Sequence, residues 1–297
     1  MYIVCFGDGL GNQMFQYAFY LSLKQKYPTV TVKMDINNIY GKSKHNGFEL
    51  SNIFDIEVNE CTLLEALRLS NIFPEKYWYS KFINIFYKTK MLFWGSKESW
   101  ISDRNNDSTA FYKEVYELSP LKDYIFVGNW INEKYFAGLE TELKERFRFK
   151  RPLEGKNYEL AQKIQSVNSV SLHIRRGDYC SSEIFNVLDE EYYQTAINYM
   201  NEKLEKPIFF LFSDDKEYIC NMSKENENYI AICGNEGEDS YIDMQLMSLC
   251  RHNIMANSSF SFWGAYLNNN KDKIVITPKV AGRKYRNAYA CSDWINI

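Results

Sequence analysis

His173, Arg175, Arg176 and Asp178 stand together in Ser171-Leu172-His173-Ile174-Arg175-Arg176-Gly177-Asp178-Tyr179, directly after the alternating run Ser169-Val170-Ser171-Leu172. The alternation reads as a β-strand, and in open α/β sheets ligands bind beyond the carboxyl ends of the strands. Arginine offers a planar fork of donors that matches phosphate oxygens bidentately and keeps its charge at any working pH. Adjacent residues of a strand point to opposite faces. One arginine can therefore reach a phosphate while the other braces the loop through a carboxylate such as Asp178. An Arg-Asp pair that merely closes a surface turn is the plain alternative.

Further groups lie at other strand ends. Ser258, Ser259 and Phe260 stand where a strand meets a helix. Hydroxyls and backbone N–H groups there suit an anion, and the same pattern serves a simple N-cap. Asp214-Asp215 follow the apolar run Ile208–Phe212. Adjacent carboxylates diverge, and two are too few for a metal cage. With no Asp-x-Asp at a strand end, no metal site is expected.

The elements that would position these groups follow from the pattern. A strand over Tyr2–Phe6 leads into the Gly7-Asp8-Gly9-Leu10-Gly11 loop and a helix over Asn12–Tyr27, followed by a strand at Val30–Met34. Phe126–Trp130 reads as a strand and turn, and Lys134–Phe147 as a helix. The polar stretch Arg148–Asn157, with Pro152 and Gly155, reads as a hinge. Beyond it come a helix from Asn157, the strand ending at Ile174, a helix over Asp189–Leu204, the strand Ile208–Phe212 and a strand at Ile230–Cys233. A helix over Tyr241–Arg251, a strand at Asn253–Ala256, a helix over Phe262–Leu267 and a strand at Ile274–Thr277 complete the alternation. Such alternation predicts an α/β fold with a doubly wound, Rossmann-like second domain. The expected domains are 1–155 and 156–297.

Composition narrows the functional classes. A net charge of -3 gives no footprint for nucleic acid. Seven cysteines, an odd count without a C-x-x-C pair, argue against a disulfide framework or zinc site and for a reducing compartment. No apolar run reaches the length of about 18 residues that a membrane span needs, and the N-terminus enters a strand at once, so a cytoplasmic protein is expected. From Leu63 to Trp100, aromatics interleave with basic residues such as Arg68, Lys81, Lys88 and Lys90. That bias fits peripheral membrane contact, or an ordinary domain cover with solvated lysines.

The His173-to-Asp178 motif resembles the His-x-Arg-Arg-x-Asp signature of the α1,2- and α1,6-fucosyltransferases and protein O-fucosyltransferases. With Gly7–Ala18, Phe212-Ser213-Asp214-Asp215 and Asp243–Tyr266 in the same order, the whole chain resembles glycosyltransferase family 11, the α1,2-fucosyltransferases. The resemblance implies a two-domain GT-B-like fold, an acceptor-side domain followed by a GDP-fucose-binding one, and inverting, metal-independent transfer of fucose to the 2-hydroxyl of a terminal galactoside, free or lipid-linked. It also implies a bacterial cytoplasmic enzyme of surface-glycan or O-antigen synthesis, since animal members carry an N-terminal membrane anchor.

Negative charge grows on the leaving phosphate in such a transfer, so Arg176 first and Arg175 second are expected there. The resemblance puts His173 in the donor site, Ser258, Ser259 and Phe260 on the diphosphate, Asp243 on guanine and Asp214 on the nucleoside side. It places Gly11, Asn12 and Gln13 beside fucose or acceptor. Asp178 is either the catalytic base or a brace for Arg176. The chain departs from the family at Asp8, where Gly is usual, at Phe262, where Trp is usual, and at Asn129-Trp130-Ile131-Asn132. Two other classes stay open. A nicotinamide-dependent oxidoreductase would use Gly7-x-Gly9 and Asp35, and a non-catalytic glycan-binding protein would ignore GDP.

Overall fold

Two parallel sheets organise the chain, one in each of two compact units, Met1–Arg146 and Phe147–Ile297. The structure, a computed structural model, describes residues 1–36, 46–69, 99–103, 107–177, 187–282 and 289–297.

In the first unit the strands β1 (Tyr2–Cys5), β2 (Val32–Asp35), β3 (Trp100–Ser102) and β4 (Tyr124–Val127) lie in the order β2-β1-β4-β3, all parallel. Every residue of β1 and β4 is buried, as continuous apolar runs in a parallel sheet require. Helix α1 (Leu10–Lys26) buries Met14, Phe15, Ala18, Phe19 and Leu23. Short helices α2 (Leu50–Ile53) and α3 (Leu63–Leu69) follow, and Ala66 and Leu69 of α3 pack beside Ile3, Ile125 and Val127. The helix expected over Lys134–Phe147 is divided. A 3-10 turn at Glu133–Tyr135 ends before Gly138, whose φ of +85° no right-handed helix accommodates, and α4 begins at Glu140 and runs to Arg146.

The unit boundary falls at Phe147, ahead of the polar hinge stretch. Phe147 is buried with its ring 5.1 Å from that of Trp263, and Phe149 stacks on Tyr241 at 6.2 Å, so these aromatics belong to the second core.

The second unit alternates α5 (Gly155–Ser166), β5 (Ser169–Ile174), α6 (Glu190–Lys203), β6 (Ile208–Ser213), α7 (Lys216–Glu225), β7 (Tyr229–Ala231), α8 (Tyr241–Leu249), β8 (His252–Ile254), α9 (Ser259–Tyr266), β9 (Val275–Thr277) and β10 (Ile295–Asn296). Its sheet order is β10-β9-β8-β5-β6-β7, all parallel. From β5 the chain moves outward through β6 to β7, then returns to the opposite side of β5 as β8. The ends of β5 and β8 therefore flank the point where winding reverses, the usual ligand crevice of such sheets. Val170, Leu172 and Ile174 of β5 pack with Ala196, Ile197 and Met200 of α6. Ser169, Ser171 and His173 alternate with them onto the other face.

Candidate functional site

Three strand ends of the second unit bring charged groups together. At the end of β5, Arg175 Nε lies 3.1 Å from Asp214 Oδ2, and Arg176 Nε lies 3.2 Å from Asp215 Oδ2. The backbone N–H of Arg176 donates to Asp214 Oδ1 at 3.0 Å. The Arg176 guanidinium also lies over the ring of Tyr218, 4.2 Å from its centroid. The next residue, Gly177, leaves room for the Asp214 carboxylate, since a Cβ there would stand 2.4 Å from Asp214 Oδ2.

The two carboxylates hold their places because β6 and α7 fix them. Asp215 caps α7 by accepting from Tyr218 N at 3.0 Å, and its own N–H donates to Ser213 Oγ at 3.0 Å. Asp214, expected on the nucleoside side, makes its contacts with the arginine loop. Among the described residues Asp215 pairs with Arg176; Asp178, expected as base or brace, lies outside them.

His173, 4% exposed, has its Nδ1 without a hydrogen-bond partner among the described residues. Burial first, and the neighbouring Arg175 second, push its pKa down to about 3. The imidazole is thus neutral at working pH, able to hydrogen-bond and unsuited to carrying a proton. Its ring lies 6.0 Å from that of Phe260.

Across the switch point, β8 is tied to β5 by polar groups that the strand alternation turns inward. Asn253 Nδ2 donates to Ser171 Oγ at 2.7 Å, and Arg251 N donates to Ser169 Oγ at 3.0 Å. Beyond β8, Ser258 caps α9 by accepting from Phe260 N at 3.3 Å, and Ser261 Oγ donates to Ser258 O at 3.1 Å. The N-cap expected as one reading of Ser258 is present. Ser259 and Phe260 form the half-buried first turn.

Asp243, in the first turn of α8, is buried. Its Oδ2 lies 3.0 Å from Lys216 Nζ, and its Oδ1 accepts from Asn235 Nδ2 at 2.8 Å. Asn235 and Asn157 exchange amide hydrogen bonds of 2.9 and 3.2 Å. Burial raises the Asp243 pKa, opposed by Lys216. Sequence reasoning missed Asp215, Lys216, Tyr218 and Asn235. An Asp at the end of a strand, followed by an amphipathic decapeptide, was the available signal for the first three.

In the first unit, the glycine loop is built around two glutamines. Gln16 Oε1 accepts from Gly7 N at 3.0 Å while its Nε2 donates to Gly128 O at 3.0 Å and to Asn129 Oδ1 at 3.2 Å. Gln13 Nε2 donates to Asp8 O at 3.0 Å and Gly47 O at 2.7 Å, and its Oε1 accepts from Glu49 N at 2.9 Å. Gln13, expected on substrate, spends its amide on the loop. Asn12 is half-buried and makes no side-chain hydrogen bond among the described residues, and Gly11 is buried. Asp8 has φ +61°, a left-handed conformation that glycine adopts without strain. Trp130, also left-handed at φ +55°, is buried and stacked on Phe19 at 4.3 Å. It is core rather than a sugar platform.

Among the described residues no group of three or more His, Cys, Asp or Glu is arranged to hold a metal ion, and no helix is long and apolar enough to cross a membrane. Of the Leu63–Trp100 segment, residues 70–98 lie outside the described residues.

A family model described as Glycosyl transferase family 11 matches residues 1–297. The chain is 34% identical to an alpha-1,2-colitosyltransferase of Escherichia coli, over 91% of this chain and 88% of that protein. It is 29% identical to the O-antigen biosynthesis glycosyltransferase WbnK of Escherichia coli, over 99% of each. Among solved structures, fucosyltransferase NodZ from Bradyrhizobium shares the fold, with a TM-score of 0.51 at 15% identity over 89% of this chain and 91% of that one.

Proposed function

The chain belongs to glycosyltransferase family 11 and has its two-unit, GT-B-like α/β fold, and from that premise we propose that it transfers a 6-deoxyhexose from a GDP-linked donor to the 2-hydroxyl of a terminal galactoside, with inversion and without a metal. The observation that carries the reading is the pair of arginines at the end of β5, each held by its own aspartate beside the capped start of α9. With Nε spent on Asp215, the terminal nitrogens of Arg176 serve the β-phosphate as the sugar–phosphate bond breaks. Arg175 and the first-turn N–H and hydroxyl of Ser259 serve the diphosphate, next to the Phe260 N–H that the Ser258 cap holds. His173 donates or accepts as a neutral imidazole. Asp243 receives the guanine N1–H and N2–H₂ edge.

The acceptor hydroxyl gives up a proton as its oxygen bonds the anomeric carbon. Asp215 already braces Arg176, so we assign that proton to Asp178. We assign 147–297 to the donor and Gly11 and Asn12 of the first unit to the acceptor side. Gln13 supports them.

Fucose is the first reading of the sugar. The relationship to an alpha-1,2-colitosyltransferase favours a second, because colitose is fucose lacking the C3 hydroxyl. The acceptor, by kinship with an O-antigen glycosyltransferase, is a surface-glycan repeat, free or lipid-linked. For a lipid-linked acceptor, 63–100 is the segment assigned to the membrane surface, and failure to sediment with anionic vesicles at low salt overturns that assignment. The nicotinamide alternative falls with the family assignment, and Asp35 is buried against Cys5.

Mass spectrometry of GDP-fucose incubated with a β-galactoside and its 2-deoxy analogue tests the reading. Transfer to the first and not the second is expected. Equal transfer to both, or calorimetric affinity for UDP equal to that for GDP, overturns it.

A further inference from the structure

The three residues that follow β6 act on three different partners: Asp214 on Arg175, Asp215 on Arg176, and Lys216 on Asp243. Lys216 occupies the first turn of α7, where the helix dipole disfavours a cation. A residue that breaks a local rule needs a compensating contact. Its contacts are Asp243 Oδ2 at 3.0 Å and Ile232 O at 3.4 Å. On the other carboxylate oxygen, Asn235 is itself oriented by the reciprocal amide pair with Asn157 of α5.

We propose that Lys216 and Asn235 are positioning residues that hold the Asp243 carboxylate ionised and in one rotation, so that the donor site selects guanine over bases without a 2-amino group; the inference rests on the assignment of Asp243 to guanine. An ionised carboxylate accepts at both oxygens and so pairs with two adjacent N–H groups, whereas a protonated one gives up an acceptor. Buried as it is, Asp243 would drift toward the protonated form without a cation beside it. The groups facing it are Lys216 from α7, Asn235 from the segment after β7 and, through Asn235, Asn157 of α5. Burial holds the His173 pKa low and pushes the Cys233 thiol up to about 11, and Lys216 pulls both down; neither changes charge near neutral pH.

Calorimetry with GDP and IDP, which lacks the 2-amino group, tests this between pH 5.5 and 8. The phosphates titrate alike in both ligands, so the GDP-to-IDP affinity ratio isolates the base. Wild type should favour GDP by roughly tenfold or more with a flat ratio. Lys216→Met should lose most of that ratio, more so at low pH, as the Asp243 carboxyl is protonated. Lys216→Arg should restore a flat ratio. Asn235→Ala, which keeps the charge and loses the orientation, should lower the ratio at every pH and decides the matter if Lys216→Met does not fold. A wild-type ratio and flat profile in Lys216→Met, or a wild-type ratio in Asn235→Ala, overturns the inference. An unchanged ratio in Asp243→Asn overturns instead the guanine assignment beneath it.

Discussion

Asp215 does two jobs with one carboxylate: its Oδ2 receives Arg176 Nε at 3.2 Å while its Oδ1 caps α7 through Tyr218 N at 3.0 Å. The pose of the arginine is thereby tied to the start of a helix, and the helix carries Tyr218 beneath the guanidinium. An arginine fixed at Nε and stacked on its face loses little entropy on binding phosphate with its remaining nitrogens.

Arg176→Lys keeps the charge and discards the fork and the Nε contact. Turnover should fall by about 100-fold or more, the scale of losing a donor to transition-state charge. Thermal unfolding should stay near wild type, because the pair with Asp215 is partly exposed. Steady-state kinetics near wild type would remove Arg176 from the phosphate.

Gly177→Ala places a methyl 2.4 Å from Asp214 Oδ2, the mobile end of a side chain. Asp214 can yield, so the fold should survive while Arg175 loses its partner. GDP affinity measured by calorimetry should drop by roughly tenfold, the worth of a charge-assisted hydrogen bond. Unaltered affinity would mean that Asp214 does not set the arginine.

His173, with a folded pKa of about 3 against 6.5 in its ordinary state, binds its proton more readily unfolded than folded. The unfolded chain therefore takes up more protons between those values, and stability falls as pH drops from about 6.5 toward 3. His252 is shifted the same way, so the comparison must be between proteins that keep it. His173→Gln should show a shallower loss of melting temperature between pH 6.5 and 4 than wild type. Parallel curves would contradict a buried neutral imidazole.

Asp103 Oδ2 accepts from Asn129 N at 3.0 Å and Trp130 N at 2.8 Å, and Gly128 leaves room for the carboxylate. Asp103→Ala strips two backbone donors, one of them on the buried left-handed Trp130. Urea unfolding should register a loss of about 3 kcal/mol, the order expected for hydrogen bonds to a charged group. A loss below about 0.5 kcal/mol, within the range of ordinary surface changes, would contradict the account of this turn.

Much of this was legible in the chain. The Ser169, Ser171 and His173 alternation marks a strand whose second face is polar, and the observed β5 carries its arginines just beyond its end. Ser258 announces its cap because a hydroxyl precedes a helical run. Other features left no local trace. The Lys134–Phe147 helix has helical composition, and only the left-handed Gly138 divides it. Helix α7 hides because its short stretch includes Cys220 and Asn221, weak helix formers, and its start is signalled by Asp215, which reads equally well as a ligand. Lys216 with Asp243, and Asn157 with Asn235, are joined by the return of the chain across the sheet, and no spacing rule encodes such a pair. Strands β3 and β10 are brief edges below the length at which alternation can be recognised.

Asp178→Asn tests the proton acceptor. The rate of sugar transfer should fall by about 100-fold or more, the usual worth of a general base, while calorimetric GDP affinity holds. An equal fall in GDP affinity would return Asp178 to a bracing role.

NMR of the product in excess EDTA tests most directly the proposed transfer of a 6-deoxyhexose from a GDP-linked donor to the galactoside 2-hydroxyl. Purified protein should be given a β-galactoside with GDP-fucose and, separately, with GDP-colitose. An α-configured anomeric signal with a cross-peak to galactose H2 is expected from at least one donor, undiminished by the chelator. Linkage at any other hydroxyl, a β-configured product, or transfer that requires added metal would contradict it.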